Sequence, residues 1–308
     1  MPNTIAYAAV FQQQLDQQML ALLTSGWMEV NSAMVKYNGG NTVKIPKIVI
    51  QGLGDYDRSD GFKGGSVTLS WEDQTFTQDR ARSFTLDSQD VDESNFSLSA
   101  GMVMGEFQRT KVAPEIDAYR YSKIATIAIA ANKAEGGYTA ATATILAKLK
   151  AHIALVQDII GENEPLVITL STPVAAILDQ ADKIEKFTST MELKIGEAST
   201  KVKSIDSIPL IKVPSARMKT AYTFYDGETE GQEDGGFVPA AGAKKINWII
   251  SARKSAIGVT KAEKPRIFDP DTNQKADAWK IDYRRYHDLF IPDNAKDGLY
   301  VCVEEALE

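Results

Sequence analysis

The run from Pro114 to Ala131 constrains this 308-residue chain more than any other stretch. Pro114 stands just inside a helical start, where its missing N–H costs nothing, and Glu115 and Asp117 put negative charge on the first turn. From Ile116 to Ala131 no breaker interrupts the chain. Ile124, Ile127, Ala128 and Ala131 recur at helical spacing, and Gly136-Gly137 marks an end. The helix is apolar around much of its circumference, so it must pack on more than one side.

The segment from Thr42 to Thr77 is the second constraint. Val43–Ile50 and Val67–Trp71 read as two strands, with Val67, Leu69 and Trp71 alternating along the second. Between them lie fifteen residues, Gln51 to Gly65, with five glycines. A loop of that length is uncommon inside a compact domain, and Pro46 places the first strand at an edge. A two-stranded hairpin is marginal in water on its own. It needs another surface to rest on, which makes it a candidate intersubunit arm with Val67, Leu69 and Trp71 as its contact face. Residues 5–23 form an amphipathic pattern with Phe11, Leu15, Met19 and Leu22 along one stripe, opposite a glutamine-rich face nearly free of charge. That stripe fits either a helix packed on its own domain or an arm laid on a neighbour, and Phe11 and Leu15 are its candidate contacts.

Further along, residues 140–160 read as a helix closed by Gly161, and Leu166–Leu170 as a buried strand. Ser171-Thr-Pro-Val opens another helix, and residues 208–213 and 246–250 read as strands. This alternation is that of a small α/β unit. Asp226 to Gly236, with five acidic residues and four glycines, reads as an exposed, mobile loop. Trp279–Ile291 and Leu299–Val303, joined by the turn at Pro292–Gly298, read as a C-terminal hairpin beside the long helix.

Two stretches carry a likeness to a known family: Phe84-Thr-Leu-Asp-Ser-Gln-Asp-Val-Asp-Glu93, and Phe107-Gln-Arg-Thr-Lys-Val-Ala-Pro-Glu-Ile-Asp-Ala-Tyr-Arg-Tyr121. They resemble the approach to the long spine helix in the major capsid proteins of tailed bacteriophages, shells of the Hong Kong phage type. The order of pieces agrees over most of the chain, and the detail runs from Phe84 to Ala131. The resemblance implies an α+β fold. Its parts would be an N-terminal arm (1–36), an extended β-hairpin loop (37–80), a peripheral domain with the spine helix (81–137), an axial α/β domain (138–261) and closing peripheral strands (262–308). It implies a subunit that self-assembles into hexamers and pentamers of an icosahedral capsid around double-stranded DNA. A separate scaffolding protein and a portal are implied partners, and the virion, assembled in the host cytoplasm, is the implied location. Some such capsids join subunits by an isopeptide bond between a hairpin lysine and an asparagine; Lys63 and Asn294 are the candidates here. A bacterial nanocompartment shell of the encapsulin type, which shares the fold, is an alternative. An α/β enzyme with a dispersed active site is another.

Composition bears on these readings. A net charge of −7 argues against tight, sequence-independent nucleic-acid binding, so packaged DNA would be touched weakly. The single cysteine, Cys302, allows no intrachain disulfide and sits in an apolar strand pattern. No run reaches the ~18 apolar residues of a membrane span, no basic residue precedes Lys36, and the expectation is a soluble chain without a membrane partner. No phosphate loop, dinucleotide fingerprint, nucleophile elbow or paired-cysteine metal motif occurs, so neither cofactor nor catalytic residue is expected. Asp55-Tyr-Asp-Arg-Ser and Asp269-Pro-Asp-Thr-Asn begin like calcium loops but lack the glycine and glutamate such loops need; they read as side-chain-capped turns. His152 and His287 read as core or edge histidines.

Overall fold

The computed structural model of the chain describes residues 23–37, 40–59, 61–89, 100–181, 184, 188–195, 198–273 and 275–307. Of the N-terminal pattern at residues 5–23, residues 5–22, with Phe11 and Leu15, lie outside them.

The long helix reaches further upstream than its sequence signals. Helix α1 (Ala100–Phe107), a π-helical turn (Gln108–Val112) and α2 (Ala113–Ala130) follow one another without a break. Pro114 has no N–H to return to Thr110, and the Thr110 hydroxyl donates to the Glu106 carbonyl at 2.7 Å. The wider turn accommodates both. The helix stops at Ala131, short of the glycine pair. Asn132 takes a left-handed φ of 55°, and the Lys133 and Asn132 amides close back on the Ala128 and Ile129 carbonyls at 2.8 and 3.1 Å.

A seven-stranded sheet forms the body. Its strands are β5 (Ala134–Glu135), β6 (Leu166–Ser171), β7 (Thr188–Ile195), β8 (Ala198–Ile205), β9 (Ile208–Val213), β12 (Ile246–Ala252) and β15 (Leu299–Val303), ordered β5-β15-β12-β6-β9-β8-β7. Alternate residues serve two cores, as strand geometry requires. Val167, Ile249, Val301 and Val303 face the long helix, where they meet Tyr121, Ile124, Ala125 and Ala128 together with Trp27 and Met28. Ile168, Leu170, Trp248, Ile250 and Cys302 face α3 (Ile145–Ile160) and α4 (Thr172–Asp179), meeting Ile145, Leu149, Val174 and Leu178. The expectation that the long helix packs on more than one side is met. Gly161, at φ 88°, closes α3 as the sequence implies.

The C-terminal hairpin does not form. Strand β15 enters the seven-stranded sheet between β12 and β5. Strand β14 (Ala278–Phe290) instead pairs with β13 (Ile257–Phe268) and β4 (Gln78–Asp87) in a separate three-stranded sheet. The turn at Pro292–Gly298 changes sheets because β15 is apolar on nearly every residue and needs cover on both faces, which only the larger sheet offers. Strand β13 also runs across residue 262, where the sequence reading puts a boundary.

Behind the helix the C-terminal tail closes over Gly136. A Cβ there would stand 2.5 Å from the Leu307 amide nitrogen and 2.6 Å from the Glu305 carbonyl oxygen. Gly136→Ala should therefore cost about 1–3 kcal/mol, read as a lower urea midpoint with an unchanged m-value; an unchanged midpoint would show that the tail does not pack there.

A buried polar lock fixes the chain just after the N-terminal segment. Asp117, fully buried on α2, accepts from the Thr24 and Ser25 amides at 3.2 and 3.0 Å, from their hydroxyls at 2.7 and 2.6 Å, and from Arg217 at 3.0 Å. One turn on, buried Arg120 donates to Glu29 at 2.5 Å, and Arg285 bridges Glu29 and Glu263 at 2.9 and 2.8 Å. Burial alone would raise the Glu29 carboxyl. The Arg120 and Arg285 guanidiniums outweigh it and hold the group below its ordinary range.

Candidate assembly interface

Strands β1 (Lys36–Tyr37), β2 (Thr42–Ile50) and β3 (Val67–Thr75) make a small sheet in which β2 is central. Strand β1 reaches only Lys44 and Val43, so Pro46 and everything outward of it stand at a free edge, as the proline requires. The base of the hairpin is anchored: Val43 and Ile45 are buried against Val35, Phe76, Ile257, Tyr286 and Phe290. Lys47 reaches Asp293 at 3.5 Å, and the Asp293 amide donates to Glu72 at 3.2 Å.

The register fixes what the outer half presents. Ile50 stands opposite Val67, Ile48 opposite Leu69, and Pro46 opposite Trp71. Directly opposed residues share a face, so these six side chains form one apolar stripe, on the side of β2 away from Val43 and Ile45. Most of the stripe faces solvent: Ile50 and Val67 are each 68 % exposed, Leu69 58 % and Ile48 56 %. Trp71 is 41 % exposed and carries the Lys36 ammonium 5.1 Å above its ring. At the tip, Tyr56 and Phe62 meet edge to face at 5.2 Å, while Leu53 and Phe62 stand almost wholly in solvent.

The structure thus gathers Val67, Leu69 and Trp71 on one exposed face and adds Pro46, Ile48 and Ile50 to it. The sequence showed both strands but not the register, and the register depends on how the fifteen-residue loop closes. Gln51 settles it by accepting the Ser66 amide at 3.0 Å. Lys63 lies in the tip loop, and Asn294 in the 3₁₀ turn Asp293–Gly298 beside the hairpin's base. Contiguous exposed apolar area is rare on soluble monomers and marks interaction sites.

Elsewhere the polar groups are structural. Among the described residues no group of three His, Cys, Asp or Glu side chains could hold a metal ion, and no helix is long and apolar enough to cross a membrane. The suspected turns at Asp57 and Asp269 cap the amides of Ser59 and Thr272 at 2.7 and 2.8 Å. Cys302 is buried, and burial pushes its thiol up to about 12. His152 accepts from the Trp248 indole at 3.2 Å and bonds Glu135 at 2.8 Å. His287 is buried beside Tyr119. Burial lowers both imidazoles, opposed by Glu135 at His152 and reinforced by Arg285 and Arg120 at His287.

A histidine depressed in the folded state refuses a proton that the unfolded chain accepts. Its contribution to stability is intact above about pH 6.5 and falls away below it, by up to about 1.4 kcal/mol per pH unit for each excluded proton. The unfolding midpoint should fall between pH 7 and pH 5, before the carboxylates titrate. A flat midpoint over that interval would contradict the buried, neutral assignment.

No family model matches the sequence, and no curated protein matches it. Solved structures do match. The mature capsid of bacteriophage PhiM1 superposes with a TM-score of 0.55 at 11 % identity, covering 86 % of this chain and 82 % of that one. The capsid of cyanophage P-SCSP1u gives 0.54 at 12 %, covering 87 % and 84 %. A chain of Mycobacterium phage Che8 gives 0.54 at 12 %, covering 92 % and 90 %. At such identities the likeness is one of fold. The chain has the α+β fold of phage capsids of the Hong Kong phage type, as the residues from Phe84 to Ala131 imply.

Proposed function

We propose that the chain is the structural subunit of a viral shell, the major capsid protein of a tailed phage, assembling into hexamers and pentamers around double-stranded DNA. The observation that carries this reading is the solvent-exposed apolar stripe on a hairpin whose base is buried against Val35, Phe76 and Phe290. A capsid fold supplies the context, and a second copy of the chain supplies the missing surface. The chain acts as a building block and not as a catalyst. Its arm (1–36), hairpin (37–80), peripheral (81–137 and 262–308) and axial (138–261) portions divide that work. Scaffolding protein and portal are its partners during assembly in the host cytoplasm, with DNA contacted weakly. Obligate contacts of this kind bury on the order of 2,000–5,000 Å² each. Light scattering across micromolar concentrations and a range of salt, with and without a scaffold, should show large assemblies. A species that stays monomeric throughout would contradict the reading.

Phe11 and Leu15 belong to the same proposal as contacts of an N-terminal arm. Deleting residues 1–22 should impair assembly while leaving cooperative unfolding intact, because the polar lock that secures the chain starts at Thr24. Loss of cooperative unfolding on heating would place those residues in the subunit's own core.

A further inference from the structure

The sheet of β4, β13 and β14 buries one face and leaves the other open. Ile281 and Tyr283 of β14, with Phe84, Leu86 and Ile267 beside them, pack under α1 through Met104. The register puts the intervening residues on the far side: Lys264 stands opposite Arg284, and Arg266 opposite Asp282. Lys261 joins them from the irregularity between Thr260 and Ala262, its ammonium 5.2 Å above the Tyr286 ring. The turn beyond Phe268 is acidic, with Asp269, Asp271 and Asp277, so the cationic half of the face runs from Lys261 to Arg266. Two carboxylates share this half, and both are taken. Arg284 grips Asp79 with two bonds, at 2.9 and 2.5 Å, while Lys280 and Ser83 hold Asp282 at 3.2 and 2.6 Å. Lys261 donates to the Gly40 carbonyl, which leaves its charge uncompensated. Lys264 and Arg266 are exposed, with no hydrogen bond or ion pair among the described residues. Like charges directly opposite each other on a sheet cost stability, and Lys264 facing Arg284 carries that cost on a chain whose net charge is −7. An anionic partner offsets it.

The kind of anion follows from what the face lacks. A protein partner is held by an apolar centre inside a polar rim, and among the described residues no large apolar side chain of β4, β13 or β14 is exposed. A regular polyanion needs no such anchor. Strand β13 is also an edge strand of its sheet, and backbone amides beside cations are groups that bind phosphate oxygens. We propose that the β13 face, through Lys261, Lys264 and Arg266, binds the phosphate backbone of double-stranded DNA without reading its sequence. The three cations span about 16 Å at ~3.3 Å per residue, against one phosphate charge per ~1.7 Å of duplex axis, so any sequence brings phosphates within reach of all three. The acidic excess on the rest of the chain keeps the contact local and weak.

The choice of DNA as the polyanion rests on the shell reading, and the test separates the two. Dissociated subunits are titrated into a fluorescently labelled DNA duplex, with anisotropy read from about 50 to 200 mM salt. For three phosphate contacts the logarithm of the binding constant should fall against that of salt with a slope of about −2.7, at ~−0.9 per contact. Lys264→Gln with Arg266→Gln should bring the slope to about −0.9 and weaken binding at the lowest salt by roughly tenfold or more. The unfolding midpoint should be no lower, because both side chains are exposed. Lys203→Gln with Lys254→Gln, which removes two exposed cations elsewhere, should leave the slope as it is. A Lys264–Arg266 double variant that binds as the wild type does, or a wild type that binds no DNA at low salt, overturns the inference. The cations would then guard the strand edge or meet a neighbouring subunit, and the shell reading would stand on its own scattering test. DNA binding through this face by a chain that never assembles supports the inference and overturns the shell reading alone.

Discussion

Trp71→Ala should abolish or severely weaken assembly while lowering the isolated subunit's unfolding midpoint by less than about 10 °C. The split follows from where the ring stands. Among the described residues it stands opposite Pro46 and beneath the Lys36 ammonium, and 41 % of it faces solvent. At ~25 cal/mol/Å² the roughly 150 Å² of the residue already covered is worth at most about 3.5 kcal/mol to the subunit, part of which the alanine keeps, and a chain of this length shifts by only a few degrees per kcal/mol. In the assembly the remaining apolar surface, roughly 100 Å², would be buried, worth about 2.5 kcal/mol per contact at ~25 cal/mol/Å². That is nearly a hundredfold in affinity at each repeated contact. Val43→Ala is the matched control. Val43 is fully buried at the hairpin's base, so its truncation should cost the subunit itself roughly 2 kcal/mol. Particles of Trp71→Ala as stable as wild type, or a subunit unfolded by the change, would show that the stripe is not an intersubunit surface.

Asp117→Ala has the opposite signature and the largest expected effect on the subunit. One buried carboxylate takes five donors, from Thr24, Ser25 and Arg217. Removing it strands two amides, two hydroxyls and a guanidinium at once. Breaking a buried charged network by deleting one member typically costs ~3–5 kcal/mol, which for this length corresponds to a fall of roughly 8–15 °C in the unfolding midpoint. The Thr24–Ser25 segment should also lose amide protection against hydrogen exchange before the long helix does. A midpoint within a degree or two of wild type would mean that the lock carries no net stability.

The legibility of this fold in its sequence follows the reach of its local signals. Pro114, Glu115 and the small apolar run marked the body of α2, and Gly161 marked the end of α3. The buried strands β6, β9 and β12 showed as short apolar runs. The upstream half of the long helix did not show, because Gly101 and Gly105 are poor helix formers and only packing holds them there. Strand β4 and the β7–β8 pair were missed for a related reason. Their charged, serine- and threonine-rich strands carry little apolar alternation, and the partner that makes β4 a strand, β14, lies far along the chain. The fate of β15 was decided by competition between two sheets, which no local pattern encodes. At the candidate interface the second strand announced Val67, Leu69 and Trp71, while Pro46, Ile48 and Ile50 joined them only once the register was known.

In a closed shell the apolar stripe of the hairpin should be covered by a second copy of the chain. Electron cryomicroscopy of the assembled protein tests it most directly. The expected result is closed particles in which Ile48, Val67, Leu69 and Trp71 of every subunit lie against a neighbouring copy. Particles whose hairpins leave that stripe in solvent, or a preparation containing only separate subunits under all assembly conditions, would contradict it.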